Sequence, residues 1–360
     1  MTKRLRFVSL VLVAVVIAGL LLAGCGEETT TTTTMPPTQT TATTTIAPIT
    51  LTLTSFLPNI PPGSNWHNLF IDNVKKYSNG AMTIQLMGPE AFPAPDAPSA
   101  VQRGSVDIAS ALGPFCDALV PGSNSVGRAE YSPMQLRDPN HSSHPAFQYY
   151  VDSFAKVGVY YFGASVSSYP QVQTVIYLGR EIDDLDDLKG LKIAATGGSN
   201  RSFIDSLGAT TIPVDFTDYF TSMERGTVDG YNIGIPGIQD FSLTPVTKAM
   251  LDEPFSSNGG FWIMNLAKYN SLSQAQKDVI NKAAIQSEIE GADLFTRTVE
   301  QVKKDISAAG VKIIHLPADD ARTFYVAYRD NMWKEDIARW PDVAPKLQGW
   351  LVDPNFPRAK

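Results

Sequence analysis

Cysteine is almost absent from this 360-residue chain: Cys25 and Cys116 are the only two. A disulfide scaffold and a cysteine-rich metal site are therefore excluded. Histidine is scarce, with only His67, His141, His144 and His315. Positive charge is in the minority, Lys+Arg 29 against Asp+Glu 36, for a net charge of −7. That argues against a nucleic-acid binder, which needs a basic face. Catalytic signatures are missing too. Gly197-Gly198-Ser199 lacks the lysine of a phosphate loop. Gly163-Ala164-Ser165-Val166-Ser167 lacks the second glycine of a nucleophile elbow. His141 and His144 form a His-x-x-His in a Pro/Ser/Asn-rich stretch. Without a carboxylate at helical spacing this reads as a solvated loop, not a metal site. Asp183-Asp184 and Asp186-Asp187 have no EF-hand spacing and read as a solvated helix start. No enzyme activity, metal or cofactor is expected.

What is present is enough apolar material for a real core, 43% hydrophobic against 18% charged. Two compact domains, or one with appendages, fit the length. Residues 1–24 read as an address. Lys3, Arg4 and Arg6 precede an apolar run from Phe7 to Leu22, the pattern of a secretory signal. Leu22-Ala23-Gly24-Cys25 resembles the lipobox of bacterial lipoproteins, which implies acylation of Cys25 and an extracytoplasmic, lipid-anchored protein in the periplasm or at the cell surface. An uncleaved anchor is the alternative, but the run is short for a membrane span. With Cys25 acylated, Cys116 is left as a buried free thiol. Residues 25–50 are rich in threonine, with an unbroken run from Thr29 to Thr34. They show no apolar period to offset the entropy of ordering and read as a disordered tether.

Beyond it, strand and helix patterns alternate. Ile49, Leu51 and Leu53 alternate with threonine, and so do Met82, Ile84 and Leu86 with polar neighbours, both as half-buried strands. Between them Trp66, Leu69, Phe70, Val74 and Tyr77 fall on one helical face. Further strands are expected at Val106–Ala111, Val157–Gly163, Gln173–Tyr177, Leu191–Ala195, Val228–Asn232 and Gly260–Asn265. A long helix is expected from Ser273 to about Ala309, with one possible break. Interleaved strands and helices imply α/β architecture. Val101-Gln102-Arg103-Gly104-Ser105-Val106-Asp107 is echoed by Met223-Glu224-Arg225-Gly226-Thr227-Val228-Asp229. Each copy reads as helix end, glycine cap and strand start, which suggests two similar lobes with a cleft between them.

Several pieces, in order, resemble the solute-binding subunits of TRAP transporters, the DctP family. They are Gly88-Pro89-Glu90, Val101 through Ile108, Asp187-Leu188-Lys189-Gly190-Leu191-Lys192-Ile193, Leu207-Gly208-Ala209, and Tyr219 with Glu224 through Asn232. The resemblance covers roughly Leu51 to Tyr325. It implies a two-lobe periplasmic-binding-protein (Venus-flytrap) fold with a long C-terminal helix. Lobe one would hold 51–171 and 260–299, lobe two 172–259, and the tail 300–360 would pack across both. It implies a receptor that delivers a small organic solute, usually an organic acid, to the small and large TRAP membrane subunits. A ligand-sensing or ABC-type solute-binding lipoprotein of similar fold is the alternative. The family's carboxylate-binding arginine directly follows the Gly-Leu-Lys-Ile strand, where this chain has Ala194 and Ala195.

Replacement anion contacts are sought at the helix opening after that strand. The free N–H groups of Gly198 and Ser199 and the side chain of Arg201 are the candidates; a plain glycine turn with an exposed arginine is the equal alternative. Trp66 and His67 lie where the family's first helix faces the cleft, though Trp66 also sits on the apolar stripe. Tyr131 ends a segment that lines the site in the family. Asn232 matches the family's ligand-contacting asparagine. Tyr219 is an aromatic near the site or a support for its helix. Trp262 stacks on the ligand or packs in the core.

Mass spectrometry of the protein from its native membrane is expected to show an N-terminus at acylated Cys25. Retention of residues 1–24 would overturn the lipoprotein assignment.

Overall fold

The computed structural model describes residues 46–55, 65–88, 90–137, 144–165, 174–195, 198–257 and 260–356. Cys25 and His141 lie outside them. The chain opens with β1 (Ile49–Ser55), α1 (Asn65–Tyr77), β2 (Met82–Met87), α2 (Ala97–Arg103) and β3 (Ile108–Leu112). Short α3 (Gly113–Cys116) and α4 (Pro133–Arg137) lead to α5 (Pro145–Lys156) and β4 (Val159–Ala164). There follow β5 (Thr174–Leu178), β6 (Lys192–Ala194), α6 (Gly198–Ser206), β7 (Thr210–Ile212), α7 (Tyr219–Glu224), β8 (Gly230–Gly234), α8 (Gly237–Asp240) and β9 (Ala249–Ser256). The last part comprises β10 (Gly260–Asn265), α9 (Leu266–Ser271), α10 (Gln274–Ala308), β11 (Lys312–Ile314), α11 (Ala318–Arg339) and α12 (Ala344–Leu351).

These strands form two mixed sheets, ordered β2-β1-β3-β10-β4 and β11-β9-β5-β8-β6-β7. The sequence echo has a structural basis. β1-α1-β2-α2-β3 and β6-α6-β7-α7-β8 are the same unit, with the first strand central and parallel to the other two. In each copy a glycine turns the chain after the helix with positive φ, +77° at Gly104 and +67° at Gly226, a conformation glycine adopts without a Cβ clash. In each copy the aspartate that follows ties its own strand to the central one. Asp107 accepts the Thr52 N–H at 2.9 Å and Asp229 accepts the Lys192 N–H at 2.8 Å. Each sheet is then extended by an antiparallel strand reached from the other sheet, β10 beside β3 and β5 beside β8.

Alternation along these strands feeds two faces. On β10, Phe261 and Ile263 enter the core with Ala109, Tyr150 and Phe154. Trp262 and Met264 enter the opposite core with Leu51, Leu53, Phe70 and Ile280. The tail joins both halves. α10 places Ile280, Ala283 and Ala284 in the core of the first sheet and Val302 and Ile306 in a core of the second. α11 places Trp333 against the first sheet and Phe324, Tyr328 and Met332 against the second. α10 begins where its sequence signals put it, because Ser273 and Gln276 form a reciprocal capping box,. It runs unbroken through buried Gly291.

Three strands were not anticipated. β7 and β11 are only three residues long, too short for a period to register. β9 contains Pro254, which the ladder tolerates because its register with β5 shifts between Thr174 and Ile176,. The folded part also begins before Leu51. Ile46 and Ile49 pack on the first core, and the Ala47 carbonyl accepts from Gln276 at 2.9 Å.

Where the chain leaves β4, a buried ion pair fastens it to the middle of α10. Arg137 donates to Glu288 at 2.6 Å and to the Phe162 carbonyl at 2.6 Å, while Glu288 also accepts the Ala164 N–H at 2.7 Å. Gly163 between them has φ +142°, and a Cβ there would run into the Arg137 guanidinium and the Glu288 carboxylate. Gly163→Ala is therefore expected to cost about 2–4 kcal/mol. Thermal melting tests this, and a Tm within about 2 °C of wild type would show that the ion pair yields without cost.

Candidate functional site

Between the two sheets lies a cavity of about 420 Å³. Strand polarity builds it. Leu112 ends β3 and Gly234 ends β8, while Thr174 and Ser256 stand level with Gly234 at the same sheet edge. The cavity thus sits at the carboxyl ends of the parallel strands, where open α/β sheets bind ligands. The second-sheet wall consists of Thr174, Asn200, Phe216, Asn232, Ile233, Gly234, Ser256 and Ser257, none of them charged. The opposite side carries Arg128 from the turn after α3, and α11 adds Tyr328, Met332 and Arg339. The lining holds two arginines and no carboxylate.

Three polar atoms on this lining are buried and meet no hydrogen-bonding partner among the described residues: Asn232 Oδ1, Arg128 Nε and Ser257 Oγ. Asn232 is carried by β8 opposite Ile176 of β5, and its own carbonyl accepts from the Tyr219 hydroxyl at 3.3 Å. Arg128 is held from behind. One terminal nitrogen donates to the Asn124 carbonyl at 2.7 Å, and the other faces Asp336 at 3.1 Å. Ser125 donates to the far oxygen of Asp336 at 2.7 Å. Burial pushes the Asp336 carboxyl upward, while Arg128 and Ser125 pull it back. Arg339 is different, with 60% of its side chain exposed and Asp117 at 3.2 Å. Burial raises the Tyr328 hydroxyl to about 12, so it stands on the lining as a neutral phenol.

The sequence candidates are dispersed. Asn232 lines the cavity; Tyr219 is buried beneath it as a support. α6 opens at Gly198, followed by Ser199, and its Asn200 lines the cavity. Arg201 does not; its Nε donates to Thr211 at 3.3 Å. Ala194 is fully buried, so no charge stands there. Trp262 is core, with ring centroids 4.5 Å from Phe70 and 6.3 Å from Phe162. His67 is buried at its edge, with Nε2 2.5 Å from the Ser55 hydroxyl. Trp66 belongs to α1. Tyr131 is half-buried against the core that holds Tyr150, Phe154 and Phe261, its ring 5.3 Å from His144. His144 caps α5 through the Ala146 N–H, and Asp184 caps a turn over Leu185–Leu188. Cys116 is a buried free thiol. Among the described residues no cluster of three or more His, Cys, Asp or Glu is placed to hold a metal. No described helix is long and apolar enough to cross a membrane. Arg128, Tyr328 and Arg339 were missed, since no local motif marks them and α11 returns from the far end of the chain.

A family model for bacterial extracellular solute-binding proteins, family 7 (DctP), matches residues 58–337. The sialic acid-binding periplasmic protein SiaP of Vibrio cholerae is 24% identical over 128 residues, 35% of this chain and 39% of that protein. The chain matches less than half the length of such curated relatives. A TRAP periplasmic solute-binding protein from Marinobacter aquaeolei VT8, in an apo open structure, has TM-score 0.71 at 15% identity, covering 85% of this chain and 100% of that one. Another from Roseobacter denitrificans, with bound β-D-glucuronate, has TM-score 0.64 at 19% identity, covering 83% and 98%. At such identity the structures speak for the fold.

Burial holds the His67 imidazole down at about 4 from an ordinary 6.5. Its contribution to stability is full above pH 6.5 and is lost as pH falls toward 4, because only the unfolded chain takes up the proton. The loss amounts to about 3 kcal/mol. Tm measured from pH 7 to 4 is expected to fall less steeply in His67→Asn than in wild type. Parallel curves would assign the acid sensitivity elsewhere.

Proposed function

The chain belongs to bacterial extracellular solute-binding protein family 7, and we propose that it is the receptor that captures a small organic acid and delivers it to a TRAP-type permease. The observation that carries this reading is the lining of the cavity between the sheets, with two arginines, no carboxylate and an asparagine oxygen awaiting a donor. An anion entering there meets two guanidiniums whose aspartate partners, Asp336 and Asp117, are not part of the lining, and the buried Arg128 is the less screened of the two. The N–H groups of Gly198 and Ser199, at the opening of α6, are proposed as additional contacts, with Asn232 orienting the solute. The reading assigns no chemical step to the cleft: the work is binding and release.

The two sheets, each with its helices, act in this proposal as two lobes that close on the solute. α10 and α11, packed into the cores of both, are the shared elements about which they move. Processing at Cys25 and the threonine-rich stretch after it would keep the receptor tethered near the small and large membrane subunits.

A melting-shift screen against organic acids, aromatic acids and neutral polar solutes tests the function. A true ligand at 100 to 1,000 times its Kd stabilises by about 3–4 kcal/mol, and acids are the class expected to do so. A screen in which only neutral solutes shift the melt would overturn the acid assignment.

A further inference from the structure

Resting on that receptor reading, we propose that Arg128 takes the solute carboxylate, and that Asn232 and Ser257 across the cavity demand a hydroxyl or amine on the same solute. The second-sheet wall offers no charge. Ala194 and Ala195 are fully buried, and Arg201 is not part of the lining. Both cations of the lining come from other parts of the chain, and they are not equivalent. Arg339 is 60% exposed on its side chain and paired with Asp117, so solvent and salt screen it. The Arg128 side chain is only 6% exposed.

The Arg128 guanidinium is also oriented before any ligand arrives. Asp336, itself held by Ser125, and the Asn124 carbonyl take its two terminal nitrogens. Its Nε–H is buried and finds no acceptor among the described residues. A buried charged donor left unmet is costly, and an incoming carboxylate oxygen is the acceptor that best repairs it. Asn232 Oδ1 is the converse, a buried acceptor with no donor, and Ser257 Oγ on the same lining is also unmet. A plain aliphatic acid satisfies Arg128 and leaves Asn232 unmet; a neutral sugar does the reverse. A carboxylic acid bearing hydroxyl or amino groups satisfies both, which is how a polar site rejects analogues that lack one group.

The test is calorimetric titration of the full chain with a panel of hydroxy and amino acids that includes D-glucuronate and N-acetylneuraminate. D-glucose serves as the carboxyl-free control and hexanoate as the donor-free one. Wild type is expected to bind at least one hydroxylated or amino acid and to prefer it to both controls. Arg128→Lys keeps a cation beside Asp336 but lacks the Nε–H, and R128Q/D336N removes both charges of the pair together. Each is expected to weaken that acid at least tenfold, Arg339→Gln less than threefold, and Asn232→Ala to narrow the preference over hexanoate. Unchanged acid affinity in a folded Arg128→Lys or R128Q/D336N protein, or the larger loss falling on Arg339→Gln, overturns the assignment. Wild-type preference for hexanoate also overturns it, yet leaves the acid-receptor reading standing, whereas preference for D-glucose overturns both. No binding to any panel member or control defeats both.

Discussion

The buried contact between Arg137 and Glu288 is the constraint on which the arrangement of the rest depends. Glu288 lies midway along α10, between the side chains that enter the first core and those that enter the second. Its carboxylate takes the Ala164 N–H as β4 ends, and its arginine partner takes the Phe162 carbonyl. Neither charge tolerates burial alone, since stranding one member of such a pair costs about 3–5 kcal/mol. The departure of the chain toward the second sheet and the placement of the long helix are thereby one event. Gly163 has no side chain because the guanidinium and carboxylate occupy the space it would need.

From that junction the two sheets repeat each other. The same order of three parallel strands, the same positive-φ glycine and the same strand-tying aspartate occur in both. Their carboxyl edges meet across the cavity, but the edges alone contribute only neutral groups. The charge is brought by segments outside the repeated units: the turn that carries Arg128, and α11, which carries Asp336 and Arg339. Ser125 and Asp336 are 211 residues apart in the chain, yet they position one guanidinium. The receptor proposed here therefore combines a repeated, neutral frame with a non-repeated source of specificity.

The placement of Arg201 outside the cavity lining illustrates the same division. A glycine turn followed by a helix is a local signal, and α6 does begin at Gly198. Whether an arginine in its first turn faces a ligand depends on what else accepts its hydrogen bonds. Thr211, in the middle of the edge strand β7, accepts from its Nε, and Asn200 reaches the cavity instead. Trp262, left open between ligand and core by the sequence, packs on the face of Phe70 and Leu53 and is not part of the cavity lining.

By itself the sequence determined what short-range physics determines. Period-2 and helical patterns marked eight of the strands and the long helix, Ser273 and Gln276 set the start of α10, and the glycine-aspartate echo announced the two related units. Those features rest on interactions within a few residues or on the face a residue must bury. The tertiary structure alone decided which strands of three residues form, how Pro254 fits into β9, and which side chains meet at the cavity. A short strand exists only because a neighbour supplies its hydrogen bonds. An arginine becomes a ligand group only when distant partners hold it in place and leave one of its donors unmet, and no spacing along the chain encodes that.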